Sequence, residues 1–359
     1  MTAIHQIVAG FSNGDAISNE ALAMRGIFRS WGFESHIFSE LRRILPDLRN
    51  EARDLAQSRA AFQPGDVILL HLSVGSPVNE QFVELPGRKA ILYHNITPPA
   101  YFAGLQEQIA HSLSTGLDQA KQLAGKAEVV MADSQFNANE LAQWGYKDVK
   151  VLPLVLDLAR LRARPDRAML KKYHDGMTNI LFVGRCVPNK RLEDVLSAFY
   201  YFQKFVEPDS RFIHVGSFAG TEQYHALLLT MMRDLSIKNA DLIGTARQEE
   251  LNAIYQSSRL FLCMSEHEGF CIPLIESMVH QVPVLAHAAS AVPETLDGAG
   301  VLFHEKRFDL IAEMMGQLTR DTPLRKAVLQ GQQARLQRYE QRNLEQELRT
   351  HLQPLLPLA

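Results

Sequence analysis

Cysteine is scarce in this chain: Cys186, Cys263 and Cys271 are the only three among 359 residues, and no two stand in a C-x-x-C spacing. The sequence therefore predicts neither a disulfide framework nor a thiolate zinc site, and it points to a reducing compartment. Excess basic charge is missing too. There are 37 Lys and Arg against 40 Asp and Glu, a net charge of -3, which argues against a nucleic-acid surface. No apolar run approaches the roughly 20 residues of a membrane span. The start, MTAIHQIVAGF, lacks the basic flank and long apolar stretch of a signal peptide, so a cytosolic protein is expected. The chain also lacks low-complexity segments. The one notable basic run of the first half, LRRILPDLRNEAR (41–53), mixes arginines with leucines, acids and a proline. It reads as a solvated, partly helical surface, with a membrane-surface or partner contact as the alternative.

What is present is ordinary globular material, 46% hydrophobic and 21% charged. Single cores stop growing at roughly 250–300 residues, so two domains are expected. Short apolar runs alternate with helical patterns. The first half has HQIVAGF (5–11), ESHIF (34–38), VILLHL (67–72), KAILYH (89–94), VVMADS (129–134) and VKVLPL (149–154). The second half has NILFVG (179–184), RFIHVG (211–216), ADLIG (240–244), RLFLCMS (259–265), VPVLAH (282–287) and GVLF (300–303). Continuous apolar strands between helices predict parallel sheets covered on both faces. The fold class is therefore α/β, with two doubly wound, Rossmann-like domains facing a cleft. The strandless basic stretch 157–176 marks the hinge. The domains are placed at 1–160 and 161–335, and 336–359 forms a polar C-terminal helix that packs back on the first domain.

Ligands of such sheets bind at the C-terminal ends of the strands, so the loops there carry the candidates. In SEHEGFCIPLIES (265–277), Glu268 and Glu276 flank an otherwise apolar turn after a strand. The strand is expected to end near Ser265, with Pro273 opening a helix at its first position and Glu276 in the first turn. Both carboxylates then lie beside the exposed amides of a helix start, an anion site. For Glu276 the alternative is an acid that merely complements the helix dipole. In FVGRCVPNKRLED (182–194), Arg185 and Lys190 follow a strand that ends at Gly184; two cations there suit a diphosphate, or are simply solvated. GFSNGDAISNE (10–20) sets Gly14 and Asp15 in a turn without a dinucleotide fingerprint, where Asp15 or a serine can cap the next helix. His94 ends the fourth strand, and His71 lies near the end of the third.

The stretch EGFCIPLIE (268–276) resembles the Glu, seven residues, Glu motif of retaining glycosyltransferases of family four, bacterial surface-polysaccharide type, and the two-domain layout resembles their GT-B fold. The resemblance implies that Glu268 contacts donor-sugar hydroxyls and Glu276 the nucleotide ribose. It implies that the backbone of Gly269, Phe270, Cys271 and Ile272 approaches sugar and phosphate. Relatives often carry Gly where Cys271 stands. By the same resemblance Gly184, Arg185 and Lys190 hold the diphosphate, and the two cations stabilise the departing nucleoside diphosphate. Glu268, Arg185, Lys190 and His94 form the implied catalytic set, with His94 positioning the donor sugar or acceptor rather than acting as a free base. Gly14 and Asp15 would face the acceptor, and loops such as GTAR (244–247) the base.

No D-x-D clamp is present, and although EHE (266–268) could imitate a metal site, the resemblance places Glu268 on sugar. No cofactor and no metal are expected. The implied reaction transfers a sugar from a nucleotide-sugar donor to a saccharide or lipid-linked saccharide in surface polysaccharide or lipopolysaccharide synthesis. The YHNITP (93–98) and GDAI (14–17) stretches look like enzymes that use GDP-mannose-type donors. The implied location is cytoplasmic, with peripheral contact at the inner face of the membrane. The alternatives are a nucleotide-sugar epimerase of the same fold and a non-catalytic nucleotide-sugar-binding scaffold.

Overall fold

The structure is a computed structural model and describes residues 2–154, 156–320 and 322–357. The chain divides into two compact units. The first takes the residues up to Ala103, Glu107–Leu156, and the segment from Asn343 on; the second takes Gly104–Gln106 and Asp157–Arg342.

The first unit is built on seven strands: β1 (Ile4–Val8), β2 (Ile37–Ser39), β3 (Ala52–Asp54), β4 (Val67–Leu72), β5 (Arg88–Tyr93), β6 (Val129–Ala132) and β7 (Lys150–Val151). Their order is β3-β2-β1-β4-β5-β6-β7, every neighbouring pair parallel. Every residue of β1, β4 and β6 is buried, as parallel strands covered on both faces must be. The sheet has one strand more than the apolar runs suggest. β3 overlaps the end of the basic stretch 41–53, after the short 3-10 turns Leu41–Arg43 and Pro46–Leu48. It is three residues long at the sheet edge, and only Ala52 is buried, so no apolar run betrays it.

The second unit has six strands: β8 (Thr178–Val183), β9 (Ser210–Val215), β10 (Ala240–Leu242), β11 (Leu260–Cys263), β12 (Val284–His287) and β13 (Val301–Phe303). Their order is β10-β9-β8-β11-β12-β13, again all parallel. In each sheet the order reverses beside the first strand of the unit, β1 or β8. That reversal is the switch point where open α/β sheets form their ligand crevice.

The end of the chain is two helices, not one. The helix Pro323–Glu340 belongs to the second unit, where the Gln332 side chain binds Val284 N at 3.0 Å and Val282 O at 2.8 Å. Asn343 then caps a new helix, Leu344–Leu352, which belongs to the first unit. Its Leu348 and Leu352 join a core cluster with Ile4, Met24, Phe28, Val67, Leu69 and Leu92. The return to the first unit thus comes at Asn343 rather than at 336. Among the described residues, no helix is long and apolar enough to cross a membrane.

Candidate functional site

In the second unit, β8 runs into Gly184 (φ +152°), then Arg185 and Cys186, a 3-10 turn Pro188–Lys190, and a helix from Leu192 to Phe205. Gly184 O accepts from His214 Nε2 at 2.8 Å, and its N–H donates to Val215 O. Gly216 passes so close that a Cβ there would meet Gly184 O at 1.8 Å. The turn is therefore pinned from the neighbouring strand. Arg185 itself is exposed, its guanidinium 3.5 Å from Ala219 O.

β11 stops at Cys263, two residues before the expected end. The loop from Met264 to Cys271 follows, and the helix Ile272–Val279 starts one residue before Pro273. Glu276 is consequently the fifth helical residue, not a first-turn acid, and the dipole explanation for it loses its basis. Tyr255 O–H donates to Glu276 Oε2 at 2.7 Å. Burial pushes the Glu276 carboxyl up, against the hydrogen bond from Tyr255 and the charge of Arg160.

Asn189 joins the two loops. Its side chain donates to His267 O at 3.0 Å and its carbonyl accepts from Glu266 N at 2.9 Å. That brings Lys190 Nζ to 2.6 Å from Glu268 Oε2, an ion pair with the carboxylate side chain only 9% exposed. Burial alone would lower the Lys190 pKa, but the charge and hydrogen bond of Glu268, with smaller parts from Cys271 and Cys263, together outweigh it and the ammonium is held above its usual range. Arg191 turns elsewhere, to Glu193, Asp194 and Glu266, so Lys190 is the cation directed at Glu268. Ser290 Oγ accepts from Glu268 N and donates to Glu266 O, and Thr295 binds Phe270 O, which fixes the loop from outside. Phe270 and Cys271 are buried, and Cys271 sits in the left-handed region at φ +71°. Gly184, Arg185, Lys190, Glu268, Gly269, Phe270, Cys271, Ile272 and Glu276 thus share one end of the second sheet. The sequence reading missed Asn189, Tyr255 and Ser290. Asn189 lies within the 182–194 stretch but carries no signal of its own there, and Tyr255 and Ser290 stand in no motif; their roles come from long-range hydrogen bonds.

In the first unit, Gly14 (φ +73°) makes the turn after β1, and Asp15 caps the helix Ala16–Ser30 by accepting from Ser18 N and Ser18 Oγ. Asp15 also lines a cavity of about 350 Å³ with Gly10, Ser12, Arg43 and Ser73 among others. Around the ends of β4, β5 and β6 the chain buries a polar cluster. Gln6 Nε2 donates to Ala21 O, so its Oε1 faces His71 Nε2 at 3.0 Å. His71 therefore carries its proton on Nε2 and accepts on Nδ1 from His94 Nε2 at 2.9 Å. The other nitrogen of His94, Nδ1, lies 3.6 Å from Glu20 and 3.5 Å from Asp133. Burial would lower the His94 pKa, but Asp133 and Glu20 together outweigh it and hold the imidazole above its usual range. His71 is held well below its usual range by burial and by the charge of His94. Asp133 was within reach of sequence reasoning, since it ends the VVMAD run; Glu20, inside a helix, was not.

Residues 171–326 match the family model described as glycosyl transferases group 1. The chain is similar to N-acetyl-alpha-D-glucosaminyl L-malate synthase of Bacillus anthracis, 27% identical over 224 residues, 60% of this chain and 56% of that protein. It is similar to GDP-mannose:cellobiosyl-diphosphopolyprenol alpha-mannosyltransferase of Xanthomonas oryzae pv. oryzae, 28% identical over 45% of this chain and 43% of that one. O-antigen chain mannosyltransferase B of Escherichia coli is 23% identical over 39% of this chain and 36% of its own length. The matched stretch spans about half or less of these relatives. Among solved structures, Anabaena HepE in complex with UDP and glucose superposes with a TM-score of 0.75 at 16% identity, covering 98% of this chain and 100% of that one. Sucrose-phosphate synthase of Thermosynechococcus elongatus gives 0.74 at 14% identity, covering 98% and 99%. The chain has the GT-B fold, and its second unit carries the segment that matches glycosyl transferases group 1.

Proposed function

We propose that this protein is a retaining glycosyltransferase of family four that takes a nucleotide sugar, of GDP-mannose type, as donor. The observation that carries this reading is the buried Lys190–Glu268 pair at the C-terminal ends of a parallel sheet. Burying an ion pair costs desolvation that geometry must repay, so it is weak as a stability device. As a ligand site it has spare capacity. The ammonium has three donors and the carboxylate about four lone-pair sites, of which their mutual bond uses one each. That combination suits a molecule with anionic phosphate on one side and sugar hydroxyls on the other.

In this reading Arg185 and Lys190 bind the diphosphate and stabilise it as it leaves. Glu268 binds sugar hydroxyls, Glu276 the ribose, and the amides from Gly269 to Ile272 approach sugar and phosphate. The first unit supplies the acceptor residues Gly14 and Asp15, and His94, whose protonated form Asp133 and Glu20 favour, positions the donor sugar or acceptor. The acceptor O–H adds to the anomeric carbon on the face the diphosphate leaves. The C–O bond to phosphate breaks with its electron pair, and the leaving phosphate takes the acceptor proton. No metal enters this scheme. The acceptor is a saccharide or lipid-linked saccharide of surface polysaccharide synthesis, as the names of the two mannosyltransferases suggest for their own reactions. A cytoplasmic protein with peripheral membrane contact suits such an acceptor.

A thermal-shift titration with GDP, UDP, dTDP and ADP tests it. One nucleotide should stabilise the wild type, by about 2.7 kcal/mol at a hundredfold excess over Kd. Arg185→Ala should lose that response. The sugar conjugate of that nucleotide should then turn over with an added acceptor, in EDTA, with the anomeric configuration kept. Turnover without acceptor would mean an epimerase; binding without turnover, a scaffold; an inverted product or a need for restored magnesium would overturn the mechanism.

A further inference from the structure

Two thiols in the second unit have no part in that reading, which uses only the backbone of Cys271. Cys263 ends β11 and is wholly buried, and Cys271 caps the helix Ile272–Val279 and is nearly so. The loop between them doubles back. Cys263 Sγ, Cys271 Sγ and a carboxylate oxygen of Glu268 all lie within 4.8 Å of one another. The third cysteine, Cys186, stands apart from this group.

We propose that Cys263, Cys271 and Glu268 form a binding site for a thiophilic divalent cation of the zinc type, and that filling it disables the Glu268 loop. Two thiolates and one carboxylate are a zinc donor set with three protein ligands, and the fourth position is left for water. The exchange balances. The metal ion enters, two S–H bonds break, two sulfur–metal bonds form, and two protons leave for solvent. Before binding, Lys190 and Glu268 cancel and the thiols are neutral. After binding, a charge of +2 meets two new thiolates and the same ion pair. No net charge is buried, which removes the main penalty for an enclosed ion. Lys190 can stay on Glu268 throughout, because a carboxylate has two oxygens and accepts more than one partner. The Lys190 side chain is 19% exposed, so solvent reaches the cluster alongside it.

The sequence predicts no thiolate site because the spacing is Cys, seven residues, Cys, outside any zinc pattern. The site exists because a strand end and a helix start are folded together. A carboxylate held by a metal ion is lost to a sugar hydroxyl. That inhibitory consequence rests on the function proposed above, whereas cation binding itself does not.

The full-length reduced protein is titrated with Cd²⁺ and with Zn²⁺, reading the thiolate-to-cadmium ultraviolet band and proton release in weak buffer. The expected result is one tight cation per chain with release of two protons, lost in Cys263→Ser and in Cys271→Gly and kept in Cys186→Ser. Glycine adopts the φ of +71° at 271 without strain, so that variant folds even if Cys263→Ser does not. Absence of the band, its survival in Cys271→Gly, or a Cys263–Cys271 disulfide that withstands reduction would overturn the site. Thermal stabilisation by UDP-glucose or GDP-mannose is then compared with and without Zn²⁺. Loss of the response with zinc supports inhibition, and an unchanged response overturns it. No response in metal-free protein counts against the proposed transferase and leaves the cation site standing.

Discussion

His94 is the residue whose chemistry the fold changes most. Read along the chain it is one histidine at a strand end. In the structure, Gln6 sets the tautomer of His71, His71 takes the Nε2 proton of His94, and Glu20 and Asp133 face its other nitrogen. Both carboxylates favour the protonated imidazole. The pH dependence follows. The His94 pKa is raised above 6.5, because Asp133 and Glu20, with a smaller part from Asp15, outweigh burial. Such a group contributes stability that is complete below pH 6.5 and is lost as pH rises through the folded value. His71 works in the opposite window: its pKa is lowered by burial and by His94, so its contribution is lost as pH falls below 6.5. Melts of wild type and His94→Gln at increasing pH above 6.5 separate the two. The wild type should lose stability with pH more steeply than the variant, and parallel slopes would show that His94 carries no extra proton. Position alone marked His94 as a candidate. Its charge state depends on residues 23 or more positions away in sequence for His71 and 65 for the Gln6–His71 bond, and no local pattern reports that.

Among the elements, the turn after β8 shows how a neighbouring strand shapes a site. Its own sequence explains the direction change, since Gly184 has φ +152° and Pro188 starts a 3-10 turn. What holds Arg185 in place is the end of β9. At Gly216 an added Cβ would sit 1.8 Å from Gly184 O and 3.1 Å from Arg185 N, backbone atoms that cannot swing aside. Gly216→Ala should therefore cost about 1–3 kcal/mol by overpacking. It should also displace Arg185 and so abolish stabilisation by the nucleotide. Melts with and without nucleotide check both, and a variant that melts and binds like wild type would show that the turn opens freely. The central strands, such as β1, β4, β6 and β11, were legible because they are buried on both faces and read as continuous apolar runs. β3 was not, because a three-residue edge strand with one buried side chain has no such run. Glu276 was assigned to the wrong turn for a similar reason: Pro273 is equally acceptable at the second helical position, and only the Cys271 backbone sets where the helix begins.

For the whole molecule, the chain path is the feature that local patterns cannot supply. The chain completes its second unit at Arg342 and then returns to the first with Leu344–Leu352. That helix is polar on average, but Leu348 and Leu352 are completely buried against the first unit's sheet core. Leu348→Ala should cost about 2–5 kcal/mol, the range for a leucine removed from a packed core. The loss should fall on the first unit. Hydrogen exchange should show β1, β4 and β6 losing protection while β8 and β11 keep theirs, and uniform loss would contradict the assignment of this helix.

The sequence by itself determined the α/β class, the two parallel sheets, nearly every strand, and the strand-end loops in which the candidate residues lie. It could do so because burial on both faces and the conformational demands of Gly and Pro act locally. The tertiary structure alone decided which side chains meet: Lys190 with Glu268 through Asn189, Tyr255 with Glu276, His94 with Glu20 and Asp133, and Cys263 with Cys271. Those pairings set charge and pKa. They depend on strand order and loop closure, which bring together residues that are distant along the chain, and such distances leave no periodic trace in a sequence.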